Sequence, residues 1–71
     1  MDIGEAVERL KQGQRVTRAG WNGKGMALYL VAARPSTQNL AYVMMITAQG
    51  DHVPWLCSQT DLLANDWMVY T

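Results

Sequence analysis

A single cysteine, Cys57, and a single histidine, His52, stand among the 71 residues of this chain. One thiol excludes an internal disulfide framework, and one thiol with one imidazole cannot close a tetrahedral metal site, so neither a metal nor a cofactor is expected. Net charge is missing as well: six Lys and Arg balance six Asp and Glu. Capturing long nucleic acid by counterion release needs a basic face, which argues against a polymeric nucleic acid as partner. No apolar run approaches the roughly 18 residues of a membrane span. The opening MDIGEAVERLK is amphipathic and of mixed charge, unlike a signal peptide. These absences lead us to expect a soluble, cytoplasmic protein with no membrane partner.

What the chain has in quantity is apolar surface. Hydrophobic residues make up 49% of it, five Met and three Trp among them, more than a small monomer can easily hide. A chain of this length is one domain, residues 1–71, and such a core supplies only about 3–5 kcal/mol of net stability. With disulfide and metal set aside, self-association is the most economical remaining support. A homo-oligomer is expected.

Periodicity orders the elements. Ile3, Ala6, Val7 and Leu10 follow the i, i+3, i+4, i+7 spacing of one helical face. Asp2 is placed to cap the first turn with Glu5 three residues on, Lys11 falls in the last turn and Gly13 can stop the helix, which predicts a helix over 3–12. QRVTR then reads as a short β-branched strand. In MALYLV and AYVMMIT both alternating sets of residues are apolar, the mark of strands covered on both faces. One helix can cover one face; a second copy of the chain covers the other most simply. QGD at 49–51 predicts a hairpin turn into HVPW, where Pro54 confines the strand to an edge or ends it. SQTD predicts a capping box, Ser58 at the N-cap and Asp61 at N3, for a short helix over 59–64. DWMVY reads as a final strand, with Trp67 in ordinary core or interface packing and Asp66 ordering the turn before it. The predicted class is α+β: a small antiparallel sheet with an N-terminal helix and a second short helix, assembling as a homo-oligomer.

The densest motif is GWNGKG at 20–25. It is not a Walker loop, since Lys24 is followed by Gly25 and not by Ser or Thr. Nor is it a dinucleotide fingerprint, because its glycine spacing is reversed and no helix follows. Two readings stay open. Asn22-Gly23 favours positive φ and can be a plain turn over which Trp21 closes. Alternatively Trp21 offers a stacking face and Lys24 a cation, while backbone N–H groups bared by Gly23 and Gly25 meet an anion. Arg15, Arg18 and Lys24 fall within ten residues without an acidic residue between them, so they form either a local positive patch or a set of solvated strand ends. A second aromatic and polar group follows in PWLCSQTD, with Trp55, Ser58, Gln59 and Asp61. Such a set suits a small nucleotide better than a polymer. For catalysis the only neutral-pH base is His52, beside Asp51 and near Cys57 and Ser58; a turn His next to an Asp is far more often a solvated pair, and no catalytic residue is assigned.

GWNGKGM followed by VPWLxSQTDLLAxDW, with GEAVERLKQGQRVTRAGWNGKGM opening the chain and YVMMITAQGDHVPW between, resembles the small phage-encoded family of Thoeris anti-defence protein 2. The resemblance spans nearly the whole chain; the loop ARPSTQN, 33–39, falls outside it. It implies a protein, not an enzyme, that sequesters nucleotide immune signals without cleaving them: cyclic ADP-ribose isomers such as glyco-cyclic ADP-ribose, with cyclic dinucleotides at a separate site in some relatives. It further implies homotetramers with ligand pockets between subunits, acting in the host bacterial cytoplasm during phage infection. The ligand-binding positions it carries over are Trp21, Asn22, Gly23, Lys24 and Gly25, together with Trp55, Ser58, Gln59, Thr60 and Asp61. Arg15 and Arg18 join Lys24 as expected phosphate contacts.

Overall fold

The computed structural model describes residues 1–21, 25–37 and 40–71. Along it run α1 (Ile3–Lys11), β1 (Val16–Arg18), β2 (Ala27–Val31), β3 (Tyr42–Ile46), β4 (His52–Pro54), α2 (Gln59–Leu62) and β5 (Trp67–Val69). The fold is α+β, as predicted.

The first helix starts where the sequence places its cap. Asp2 accepts the Glu5 backbone N–H at 2.9 Å, and the Glu5 carboxylate accepts the Asp2 N–H at 3.2 Å, a closed capping box. Glu5 lies at the positive end of the helix dipole, with Arg9 and Lys11 at the negative end. The helix stops at Lys11, ahead of Gly13 and one residue short of the predicted end. Its inward face sends Ala6 and Leu10 into the core, and full burial of one Leu side chain contributes about 1.5–3 kcal/mol.

The five strands form one antiparallel sheet in the order β4-β3-β2-β1-β5. The tight link between β3 and β4 is the predicted hairpin turn. Thr47 N–H donates to Asp51 O at 2.8 Å, Gly50 N–H donates to Thr47 O at 2.9 Å, and Gly50 takes φ +88°, a region open to glycine and costly for other residues. Pro54, which cannot donate to a ladder, ends β4 on an outer edge, again as predicted. The other edge is β5, whose pairing with β1 sets Arg18 opposite Trp67. That pairing joins the two ends of the sequence. It cannot be read from local pattern.

α1 lies over β1, β2 and β5. Ala6, Leu10, Val16, Leu28 and Trp67 form the buried core, with Trp21, Leu30, Val43, Met45 and Trp55 packed around it. Because strand side chains alternate, the other face of the sheet carries Tyr29, Val31, Tyr42, Met44, Ile46 and Met68. Tyr42 and Met68 on that face are exposed. The predicted doubly apolar pattern of β2 and β3 is therefore present, with one face turned to the core and the other apolar in its own right.

α2 is shorter than predicted, ending at Leu62 with Leu63 as its C-cap. Ser58 is its N-cap as expected, its hydroxyl oxygen accepting the Asp61 N–H at 3.1 Å. The reciprocal half of that predicted capping box is replaced. The Asp61 carboxylate turns instead toward Arg18 and Trp21, because a charge-assisted bond to a guanidinium is about twice as strong as a neutral one.

Candidate functional site

The turn that leaves β1 carries Trp21 to one end of the core. Trp21 N–H donates to Arg18 O at 3.2 Å, and Ala19 N–H donates across to Asp66 O at 3.2 Å, so the turn is tied both to its own strand and to the residue before β5. The half-buried Trp21 ring meets Trp67 edge-on, with centroids 5.4 Å apart and planes at 78°. Trp67 meets Trp55 in the same manner at 5.9 Å and 82°. Three indoles thus form a row with the buried Trp67 in the middle, a geometry that aromatic quadrupoles favour.

Polar groups close around this row. Arg18 Nε donates to Asp66 Oδ1 at 2.7 Å, Nη2 to Asp66 Oδ2 at 3.4 Å, and Nη1 to Asp61 Oδ1 at 2.7 Å. The same Asp61 oxygen accepts the Trp21 indole N–H at 3.1 Å, and the Asp61 backbone carbonyl accepts the Trp67 indole N–H at 3.0 Å. Asp66 Oδ2 accepts Gly20 N–H at 2.8 Å. The Arg18 and Asp61 side chains are only 15% and 14% exposed, so this pair works with little solvent screening.

The titration of these groups follows from their partners. Hydrogen bonds to Asp66 and then Asp61 hold the Arg18 guanidinium above its ordinary value. Desolvation pushes the Asp61 carboxyl up, but the hydrogen bonds from Arg18 and Trp21, with the Arg18 charge, outweigh it and leave Asp61 below the ordinary carboxylate range. Asp66 is lowered too, first by its bond to Arg18.

Of the residues expected at a ligand site, the structure brings Trp21, Arg18 and Asp61 into one cluster, with Trp55 reached through Trp67 and Ser58 holding the start of α2. Gln59 and Thr60 are exposed on the first turn of α2, and Gly25 is exposed ahead of β2 with φ +82°. Asn22, Gly23 and Lys24, with the Asn22-Gly23 turn, lie outside the described residues. Arg15 does not join Arg18. It leaves the strand on the opposite face, where its guanidinium carbon sits 5.9 Å from the centroid of the Tyr29 ring. Asp66, expected to order the turn before it, also reaches across the fold, its carboxylate accepting from Arg18 and Gly20, 48 and 46 residues away.

His52 is not partnered by Asp51. Its Nδ1 hydrogen-bonds the Tyr29 hydroxyl at 2.7 Å, with the two rings edge-on at 5.6 Å, while Asp51 uses its backbone to close the hairpin on Thr47. The Ser58 hydroxyl is engaged with Asp61 N–H, and desolvation, then the Asp61 charge, hold the Cys57 thiol above its ordinary value. Among the described residues His52 is paired with neither Ser58 nor Cys57. Among the described residues no group of three His, Cys, Asp or Glu is placed to hold a metal ion, and no pocket closes around the tryptophan row.

Sequence reasoning passed over Gly20 as a site element. A Cβ there would lie 2.9 Å from Asp66 Oδ2 and 3.4 Å from Arg18 Nη2, so the absence of a side chain lets the turn close onto the ion pair. The signal was present in the first glycine of GWNGKG, but its partner lies across the β1–β5 pairing.

Comparison with known proteins covers nearly the whole chain. The family model described as Thoeris anti-defense 2-like domain matches residues 1–70. A protein of Bacillus phage SP01 described as Thoeris anti-defense 2 is 37% identical over 81 residues, covering 94% of this chain and 91% of its own length. An alignment longer than the 71-residue chain means that the relative carries residues this chain lacks. With a family model over nearly every residue and a relative at this identity, the chain belongs to the Thoeris anti-defense 2-like family.

Proposed function

We propose that this protein is a phage anti-defence factor that binds and sequesters a nucleotide immune signal without cleaving it. Cyclic ADP-ribose isomers such as glyco-cyclic ADP-ribose are the favoured ligands, and cyclic dinucleotides a further class, in the host bacterial cytoplasm during infection. Family membership supports the anti-defence role, and the description of the SP01 relative names the Thoeris system it counters. The observation that carries the binding chemistry is the Trp21 indole, held edge-on against Trp67 and hydrogen-bonded to Asp61 beside a glycine-rich loop. A held indole offers a stacking platform for a base at little entropic cost, worth on the order of 1–3 kcal/mol per base in single-strand binders. Lys24, with the backbone N–H groups of Gly23 and Gly25, supplies the phosphate contacts, and Asn22 reads polar edges of the ligand.

The working unit in this account is a homo-oligomer, a tetramer, with ligand held between subunits. Its support is the second sheet face, where Tyr42 and Met68 are exposed beside Tyr29, Val31, Met44 and Ile46. Sequestration works by mass action, so the protein must be abundant and tight-binding relative to the receptor that it starves.

The test is direct. Purified protein is mixed with a cyclic ADP-ribose isomer and filtered, and the retained fraction is denatured and analysed. Loss of nucleotide from the filtrate and its recovery unchanged support sequestration. Nucleotide that stays in the filtrate, or returns chemically altered, sinks it. Native mass measurement of the same mixture reads the number of subunits and of ligands together.

A further inference from the structure

We infer that Arg18, Asp61 and Asp66 are positioning residues that set the Trp21 indole, and not contacts to the phosphates or base of a ligand. The charge of the cluster is the first ground. One guanidinium faces two carboxylates at 2.7 Å each, so the group carries a net negative charge and repels an anion instead of attracting one. Access is the second. Arg18 Nε, Nη1 and Nη2 all donate to carboxylate oxygens, and its side chain is only 15% exposed. Three of its five N–H donors are taken by carboxylates, and a phosphate would have to reach the rest on a side chain that little solvent reaches.

The third ground is the geometry of Asp61. Its carboxylate accepts the Trp21 indole N–H at 3.1 Å and its backbone carbonyl accepts the Trp67 indole N–H at 3.0 Å. One residue therefore holds both rings of the edge-on pair. Arg18 holds the Asp61 carboxylate in turn, and Asp66, bonded to Arg18 and to Gly20 N–H, anchors the near end of the same turn. The order of action runs from Asp66 through Arg18 to Asp61 and ends at the Trp21 ring. That the ring so placed receives a nucleotide rests on the function proposed above; that it is placed does not.

The two parts are separated by two readouts on the full chain. The first is the near-ultraviolet circular dichroism of the indoles, which reports their asymmetric packing without any ligand. Asp61→Ala is expected to remove the part of the band that Trp21→Phe removes, and to change nothing further in a Trp21→Phe background. Asp61→Asn, which keeps an acceptor for the indole N–H, is expected to restore most of the band, and a folded far-ultraviolet spectrum qualifies each variant. Arg18→Gln is expected to weaken the band in the same direction as Asp61→Ala. A band unchanged by Asp61→Ala, or changed equally with and without Trp21, overturns the positioning role.

The second readout is binding of cyclic ADP-ribose at two salt concentrations. Positioning predicts that Arg18→Gln and Asp61→Ala each weaken binding about tenfold or more, the scale of one lost base–aromatic stack, and that the double variant loses no more than the worse single one. It also predicts that the slope of affinity against salt is the same for Arg18→Gln as for the wild type. A shallower slope for Arg18→Gln makes Arg18 a phosphate contact and overturns the inference. A wild-type chain that captures no nucleotide overturns the sequestration function alone, and the spectral readout then decides the positioning role.

Discussion

Gly20 and Asp66 meet so closely that a side chain on the first would press on the second: the Gly20 N–H donates to Asp66 Oδ2 at 2.8 Å, and a Cβ on Gly20 would stand 2.9 Å from that oxygen. The carboxylate is already held by Arg18, so it has little room to swing away. Gly20→Ala is therefore expected to loosen the Arg18–Asp66 pair and lower the melting temperature by several degrees, with the indole near-ultraviolet band weakened in step. A Gly20→Ala chain with the melting temperature and band of the wild type would show that the contact relaxes freely.

The two lowered carboxyls give the fold an acid limit. Asp61 and Asp66 both sit below their ordinary value of 3.8 in the folded chain, so the unfolded chain binds protons first as the pH falls. Their contribution to stability is fully present above 3.8 and is lost as the pH drops through the lowered folded values. The melting temperature of the wild type, followed from neutral pH into this acid range, is expected to fall more steeply than that of an Asp61→Asn/Asp66→Asn double variant. Parallel curves would remove these two groups from the acid response.

Leu28 is a fully buried member of the core cluster. Leu28→Ala removes transfer free energy and leaves a cavity, a cost of about 2–5 kcal/mol. That is comparable with the roughly 3–5 kcal/mol that a core of this size supplies in total, so the variant is expected to be largely unfolded at ambient temperature. Asp2→Ala, which removes only the cap of α1, is expected to cost about 1 kcal/mol and leave a folded chain. Urea titration of the two variants checks the contrast, and a Leu28→Ala variant as stable as Asp2→Ala would misplace the core.

His52 faces Tyr29 and lies apart from the tryptophan row. His52→Ala is expected to leave nucleotide capture unchanged and to yield the same intact nucleotide on denaturation. A product formed by the wild type and lost in His52→Ala would point to a degrading enzyme instead.

Which of these features the sequence announces depends on the distance over which the cause acts. The α1 capping box, the Gly50 turn and the edge position of Pro54 are local, and each stands where the residue chemistry puts it. The doubly apolar pattern of β2 and β3 likewise marks both sheet faces. Arg18 shows the opposite case. Read locally, it joins Arg15 and Lys24 as a cation among cations; in the fold, the β1–β5 pairing brings it to two carboxylates more than forty residues away in sequence. Asp61 likewise reads as the N3 residue of a capping box, and the guanidinium, a stronger partner than a backbone N–H, takes its side chain. Trp21 stands between the two cases. Its loop marks it as exceptional, but its anchors, Asp61 and Trp67, are both distant in sequence.

The most direct test of the central claim is the fate of a cyclic ADP-ribose isomer mixed with the wild-type protein, filtered, and released by denaturation. Sequestration predicts that the nucleotide disappears from the filtrate and is recovered chemically unchanged from the denatured protein. Nucleotide left free in the filtrate, or recovered in altered form, would contradict it.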